Sequence, residues 1–125
     1  MNNESQEVKN LFAKLCAQPK QRFPQKKYQR LDAPSEQGVY IIRKKKTVLH
    51  VGRTLRGRGG LKQRLQNHLH GASSFTKWYL QGNGATLRKS GYTYQCLKLE
   101  NPRKRALVEA YAAGILCPKH IGLGE

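Results

Sequence analysis

At 125 residues, with 24 Lys and Arg against seven Asp and Glu, the chain has the length of one domain and a formal charge of +17. That length buries a single core without disulfides, and that charge attracts polyanions while saying nothing about fold. Three widely spaced cysteines, Cys16, Cys96 and Cys117, form no C-x-x-C pair, which argues against a zinc ribbon or disulfide framework and for a reducing compartment.

The start, MNNESQEVKN, is acidic and polar, unlike a signal peptide, and no apolar run reaches membrane-spanning length. A cytoplasmic protein with no membrane partner is expected. Val8, Leu11, Phe12 and Leu15 fall at helical spacing within residues 5–16, with Asn3 or Ser5 as cap, giving an amphipathic helix that docks on the domain or meets another subunit. Residues 19–37 hold three prolines and many charges, so an arm without regular structure is expected, pinned by Phe23, Tyr28 and Leu31. Its Lys26, Lys27 and Arg30, interleaved with aromatics, suit a grip on a nucleic-acid backbone; a solvated linker explains them equally well.

Residues 38–42 and 47–51 are rich in β-branched side chains around Lys44-Lys45-Lys46 and read as an antiparallel hairpin. Their apolar residues hardly alternate, which predicts a sheet covered on both faces. The glycine-rich RTLRGRGG must loop. Leu61, Leu65 and Leu69 then mark a helix ending near His70-Gly71, and a short second helix carries Phe75, Trp78 and Tyr79. Residues 92–99 form the clearest third strand. Asn101-Pro102 caps and opens a last helix, which Pro118 must follow. Leu107, Ala110, Tyr111 and Gly114 or Ile115 are expected on its packed side. The expected fold is α+β: a three-stranded antiparallel sheet flanked by helices in the order β-β-α-α-β-α. A helix and basic arm (1–37) precede this domain (38–121), and a tail (122–125) follows.

Several residues suit phosphodiester chemistry, which needs a proton acceptor for water, positive charge against developing oxyanions, and grip on phosphates. Arg64 and His68 project from one helix face four residues apart. Tyr40 and His50 come from the hairpin, and Arg53 follows its second strand. Glu109 stands among apolar neighbours in an acid-poor chain and wants a partner, either a hard divalent cation or Arg105 one turn earlier. Each also has a plainer role: a solvated Arg64 or His68, and a Tyr40 or His50 that simply packs. Arg56, Arg58 and Lys62 add positive charge nearby. Taken alone, these residues support a basic domain that binds nucleic acid, with phosphodiesterase activity as one option.

The run Gly38-Val39-Tyr40 followed by His50-Val51-Gly52 resembles the paired motifs of the GIY-YIG nuclease superfamily, with His50 in place of the second motif's usual tyrosine. Arg64 falls at the family's catalytic arginine, His68 at a His/Tyr position one turn on, Arg53 at a basic position after the second motif, Glu109 at the metal-binding glutamate and Pro118 at a common proline. Lys119-His120-Ile121 departs from the asparagine that some members carry after that proline. The resemblance spans about residues 38–120. It implies a one-metal endonuclease acting on double-stranded DNA, with Mg²⁺ (Mn²⁺ as substitute) held by Glu109. Catalytic roles fall to Tyr40, His50, Arg53, Arg64, His68 and Glu109, and DNA contacts to Lys26, Lys27, Arg30, Arg56, Arg58 and Lys62. Tyr40 is expected to act as phenolate, favoured by nearby arginines and metal, with His50 or His68 as the alternative proton acceptor. A bacterial, archaeal or phage-encoded restriction-type enzyme is the first expectation, acting as a homodimer or by successive nicks. A repair, recombination or mobile-element nuclease, or a non-catalytic basic binder, is the alternative.

Overall fold

A computed structural model describes residues 3–122. The central strand sets the architecture. Strand β2 (Gly38–Lys44) is buried from Gly38 to Ile42 because it has a neighbour on each side and a packed layer over each face. It pairs antiparallel with β3 (Thr47–Arg53), and on its other side antiparallel with β4 (Tyr92–Lys98). The lack of alternation noted in this segment has this cause: Tyr40 and Ile42 enter one apolar layer, Val39 and Ile41 the other.

The sheet has four strands where three were expected. The arm contributes β1 (Gln21–Arg22), paired with Thr93 and Tyr94 of β4, so the sheet order is β1-β4-β2-β3. Two residues carry no detectable period, which is why the arm reads as irregular. Phe23 and Leu31 anchor it in the core as expected, whereas Tyr28 is exposed, with Lys26 Nζ 5.8 Å from its ring centre.

On the Tyr40 face lies α2 (Gly60–Leu69), which buries Leu61, Leu65 and Leu69. Each leucine contributes about 1.5–3 kcal/mol by leaving water. The start of α2 is fixed by the arm: Leu61 N donates to the Glu36 carbonyl (2.9 Å) and Lys62 N to that of Pro34 (2.8 Å). Gly60 permits this approach, with φ at +54° and a would-be Cβ 2.1 Å from the Ser35 carbonyl oxygen. A single turn of π type (Phe75–Tyr79) and a short 3₁₀ turn (Gly84–Arg88) complete this layer. Phe75 and Leu80 are buried, and Trp78 is exposed.

The opposite face carries α1 (Glu4–Cys16) and α3 (Pro102–Leu116). Asn101 Oδ1 accepts from Lys104 N at 3.0 Å, and Pro102 opens α3, as its sequence requires. Cys117 ends it in the left-handed region (φ 47°) just before Pro118. The packed side of α3 is Arg105, Val108 and Ala112, with Leu107 and Tyr111 alongside; Ala110, Gly114 and Ile115 face outward, contrary to expectation. The sequence is apolar around much of this helix, so its period does not identify the buried side. Neither expected side-chain cap forms on α1, where Asn3 offers only its backbone carbonyl, to Glu7 N. Instead Glu4 and Glu7 in its first turn bind Arg103 and Lys104, so α1 docks on α3. Of the tail, residues 123–125 lie outside the described residues.

Candidate functional site

β3 is the edge strand, and at its end the two helical layers meet. His50 and Gly52 pair in register with Ile42 and Tyr40, on the α2 side; Arg53 alternates to the α3 side. Between the layers lie two cavities, of about 400 and 220 Å³. Arg53, Arg64 and Glu109 line both of them. The larger adds Arg56 and Arg58 from the loop, and the smaller adds His50, Gly52 and His120.

The loop base is held firmly. Gly38 N donates to Thr54 Oγ1 (3.0 Å), and Gln37 Nε2 donates to the Gly57 carbonyl (2.6 Å). Arg105 is almost wholly buried and donates to four carbonyls, those of Thr54, Leu55, Leu99 and Glu100, at 2.6–3.0 Å. The Arg105–Glu109 pair, the plainer of the two alternatives for Glu109, is therefore not formed. Glu109 Oε1 instead accepts from Arg53 Nε at 3.0 Å. Both side chains are about one-third exposed, and a pair so open to water stabilises the fold little.

Arg64 differs from Arg105. Its Nε is buried and, among the described residues, has no hydrogen-bond partner. Its charge faces the Tyr40 hydroxyl, His50 and His68. A buried donor without an acceptor costs about 1–3 kcal/mol, so this arginine is placed at the expense of stability. Gln37 Oε1, on the same cavity, is likewise buried and without a partner.

Behind the cavities lies a buried polar cluster. Tyr40 Oη and His68 Nε2 are 2.6 Å apart, and His68 Nδ1 is 2.6 Å from Ser73 Oγ. Burial pushes the Tyr40 phenol up to about 12, outweighing the nearby charge of Arg64, which pulls it down. Arginine charge alone therefore does not make it a phenolate: desolvation is the larger effect. Burial drives His50 down to about 3, assisted by the charges of His120 and Arg64. Burial likewise holds His68 well below the ordinary histidine range, so both rings are neutral near pH 7. With both nitrogens engaged, His68 has no site left for direct contact with water. His50 stacks on Phe75 (4.9 Å, 22°) and faces His120, Nδ1 to Nδ1, at 3.2 Å.

Six residues from distant parts of the chain, Tyr40, His50, Arg53, Arg64, His68 and Glu109, thus come together. Arg56 and Arg58 join them; Lys62 lines neither cavity. Lys26, Lys27 and Arg30 follow β1, at the sheet edge opposite β3 and roughly 14 Å away across three strand spacings. Sequence reasoning missed His120 and Thr76; Ser73 or Ser74 was expected only to cap the short helix of Phe75, and Ser73 Oγ does accept from Thr76 N at 3.2 Å. His120 arrives because Lys119 N and His120 N donate to the Val48 and Leu49 carbonyls along the free edge of β3, a pairing that no local pattern announces.

Among the described residues, no three His, Cys, Asp or Glu side chains assemble as a metal-ligand set. Glu109 offers one carboxylate, with Oε1 already taken by Arg53. Such a donor set does not fit a resident metal centre. One carboxylate suits at most an ion that keeps most of its water shell, as Mg²⁺ does. No family model, no curated protein and no solved structure matches the chain.

Proposed function

We propose that this protein is a Mg²⁺-dependent deoxyribonuclease of the GIY-YIG kind, cutting double-stranded DNA in a restriction-like manner. The observation that carries this reading is Arg64: a buried guanidinium with an unpartnered Nε, in a cleft walled by Arg53, Arg56 and Arg58 and faced by Glu109. Fixed forks of this type match phosphate oxygens, and an electropositive concave site suits an anionic backbone.

The DNA strand enters the larger cavity, where Arg56 and Arg58 hold flanking phosphates. Arg64 lies against the scissile phosphoryl group and neutralises charge that grows on its oxygens as water attacks. Glu109 would hold Mg²⁺, or Mn²⁺ in its place, which when bound supplies Lewis-acid charge at a non-bridging oxygen. Arg53 then orients that carboxylate. Tyr40 is the proton acceptor in this reading, set behind a cavity wall that His50 lines directly: Gly52 lines the smaller cavity, and a Cβ there would stand against the Tyr40 hydroxyl oxygen. A glycine at this point leaves the hydroxyl only one backbone layer from the cavity.

A non-catalytic nucleic-acid binder is the competing reading, favoured by the burial of Tyr40 and His68. Plasmid nicking decides between them. Cleavage with Mg²⁺, none with EDTA, and loss in Arg64→Ala and Glu109→Ala with DNA binding kept are the expected results. Cutting that persists in both variants, or DNA binding with no cutting by the wild type, refutes the assignment. Ends mapped on a digested plasmid then separate a sequence-specific enzyme from a repair or mobile-element type.

A further inference from the structure

The hydroxyls around His68 fit an arrangement of hydrogens that fixes its tautomer. Thr76 Oγ1 is bonded to the His68 carbonyl oxygen, which has no hydrogen to give, so Thr76 is the donor there. Thr76 has one hydroxyl hydrogen, so its contact with Ser73 Oγ (3.2 Å) is one in which Ser73 donates. Ser73 Oγ then has two lone pairs left and two neighbours: Thr76 N, which donates at 3.2 Å, and His68 Nδ1 at 2.6 Å. With Ser73 donating to Thr76, it is His68 Nδ1 that carries the ring proton. Its Nε2 is bare, and the Tyr40 hydroxyl, 2.6 Å away, donates to it. All four side chains are buried, so solvent does not supply an alternative network.

We propose that Ser73 and Thr76 are positioning residues that lock His68 in its Nδ1–H tautomer and so make Nε2 the standing acceptor for the Tyr40 proton. This inference rests on the nuclease reading for its chemistry, although the lock itself does not. As water attacks phosphorus, its proton passes to the Tyr40 oxygen and the Tyr40 proton passes to His68 Nε2. The P–O3′ bond breaks as the new P–O bond forms, and the departing 3′ oxygen takes a proton from solvent. The imidazolium keeps its Nδ1–H bond to Ser73, and the extra proton leaves by the same path: Tyr40 takes it back from Nε2 as it releases its own proton to the next water. The positive charge of Arg64 faces the phenolic oxygen throughout. Ser73 thus holds the far side of the ring, as a carboxylate does in other histidine relays, without bringing a charge into the core.

Nitrogen-15 NMR of ring-labelled protein reads the tautomer directly and needs no cleavage. The wild type is expected to show a protonated Nδ1 and a bare Nε2 at His68. Ser73→Ala and Thr76→Val are expected to shift His68 toward the other tautomer, and Thr76→Ser to retain the original one. In nicking assays the first two should lower kcat about tenfold or more with KM nearly unchanged, and Thr76→Ser should restore it. A wild-type ring protonated at Nε2, or a tautomer unmoved by both substitutions, overturns the lock. If Ser73→Ala does not fold, Thr76→Val and the wild-type spectrum still decide. A shifted tautomer with unchanged kcat overturns the catalytic role. A wild type with the expected tautomer and no cleavage upholds the lock and removes the nuclease reading.

Discussion

Arg105 and Arg64 look alike on paper, each an arginine within a helix, yet they occupy opposite kinds of surroundings. Arg105 fans its guanidinium over four backbone carbonyls and ties the start of α3 to the loop after β3. Arg64 keeps a buried donor without a partner and lies against a cavity. The first is a structural clamp whose hydrogen bonds repay its desolvation. The second is held in a position that the fold alone does not reward, as expected of a side chain that awaits an anion.

The sharpest way to break this contrast is to remove each arginine and measure both stability and cleavage. Arg105→Leu strips donors from four carbonyls and should cost about 3–5 kcal/mol in urea unfolding; Arg64→Ala should cost under about 1 kcal/mol. Conversely, Arg64→Ala should lower kcat by about 10²–10³-fold while DNA affinity changes by less than about tenfold. Equal stability losses in the two variants would erase the distinction.

A smaller effect is expected at Gly52, which stands between the cavity and the buried cluster. In Gly52→Ala the new methyl collides with the Tyr40 hydroxyl and ring, a clash worth about 1–3 kcal/mol. Thermal melting gives the stability loss. Cleavage should fall with it, and an unshifted melting temperature would mean that Tyr40 is not held as described.

Acid tests the cluster from another side. His50 titrates near 3 in the fold and near 6.5 when unfolded, so the unfolded chain binds the extra proton first. Stability is therefore full above about pH 6.5 and falls as pH drops toward 3, by roughly 1–2 kcal/mol at pH 5 from His50 alone, with His68 acting in the same direction. Melting curves from pH 7.5 to 5 should show this slope, and His50→Phe, which can still stack on Phe75, should flatten it. In the opposite direction, Tyr40 resists ionisation up to about 12, so its contribution is lost only as pH rises from about 10.

The smallest effect belongs to the arm. Lys26, Lys27 and Arg30 are exposed and stand across the sheet from the cleft. Replacing each with Ala should reduce the salt slope of DNA binding by about one and leave kcat unchanged. An unaltered slope for the triple variant would make the arm a solvated support for the sheet.

Local chemistry was legible wherever it repeats or punctuates. The hairpin, the Leu61/Leu65/Leu69 seam, the capped start of α3 and the two-faced cover of β2 all follow from short-range pattern. The strand Gln21–Arg22 was not legible, because two residues have no period. Nor was the buried side of α3, because most of its faces are apolar. Glu109 was rightly singled out as an acid in need of a partner, but that partner, Arg53, lies 56 residues away in sequence rather than one turn back. His120 gave no signal because it reaches the site by pairing along an exposed strand edge.

The sequence by itself determined an α+β chain of strong positive charge and the residue types available for a phosphate-binding cleft. Periodicity and capping are local effects, and charge is a sum. The tertiary structure alone decided which of those residues are satisfied and which are not. Hydrogen-bond satisfaction and desolvation depend on every neighbour in three dimensions, so only the folded chain could separate Arg64 from Arg105 or turn Tyr40 from an expected phenolate into a buried phenol.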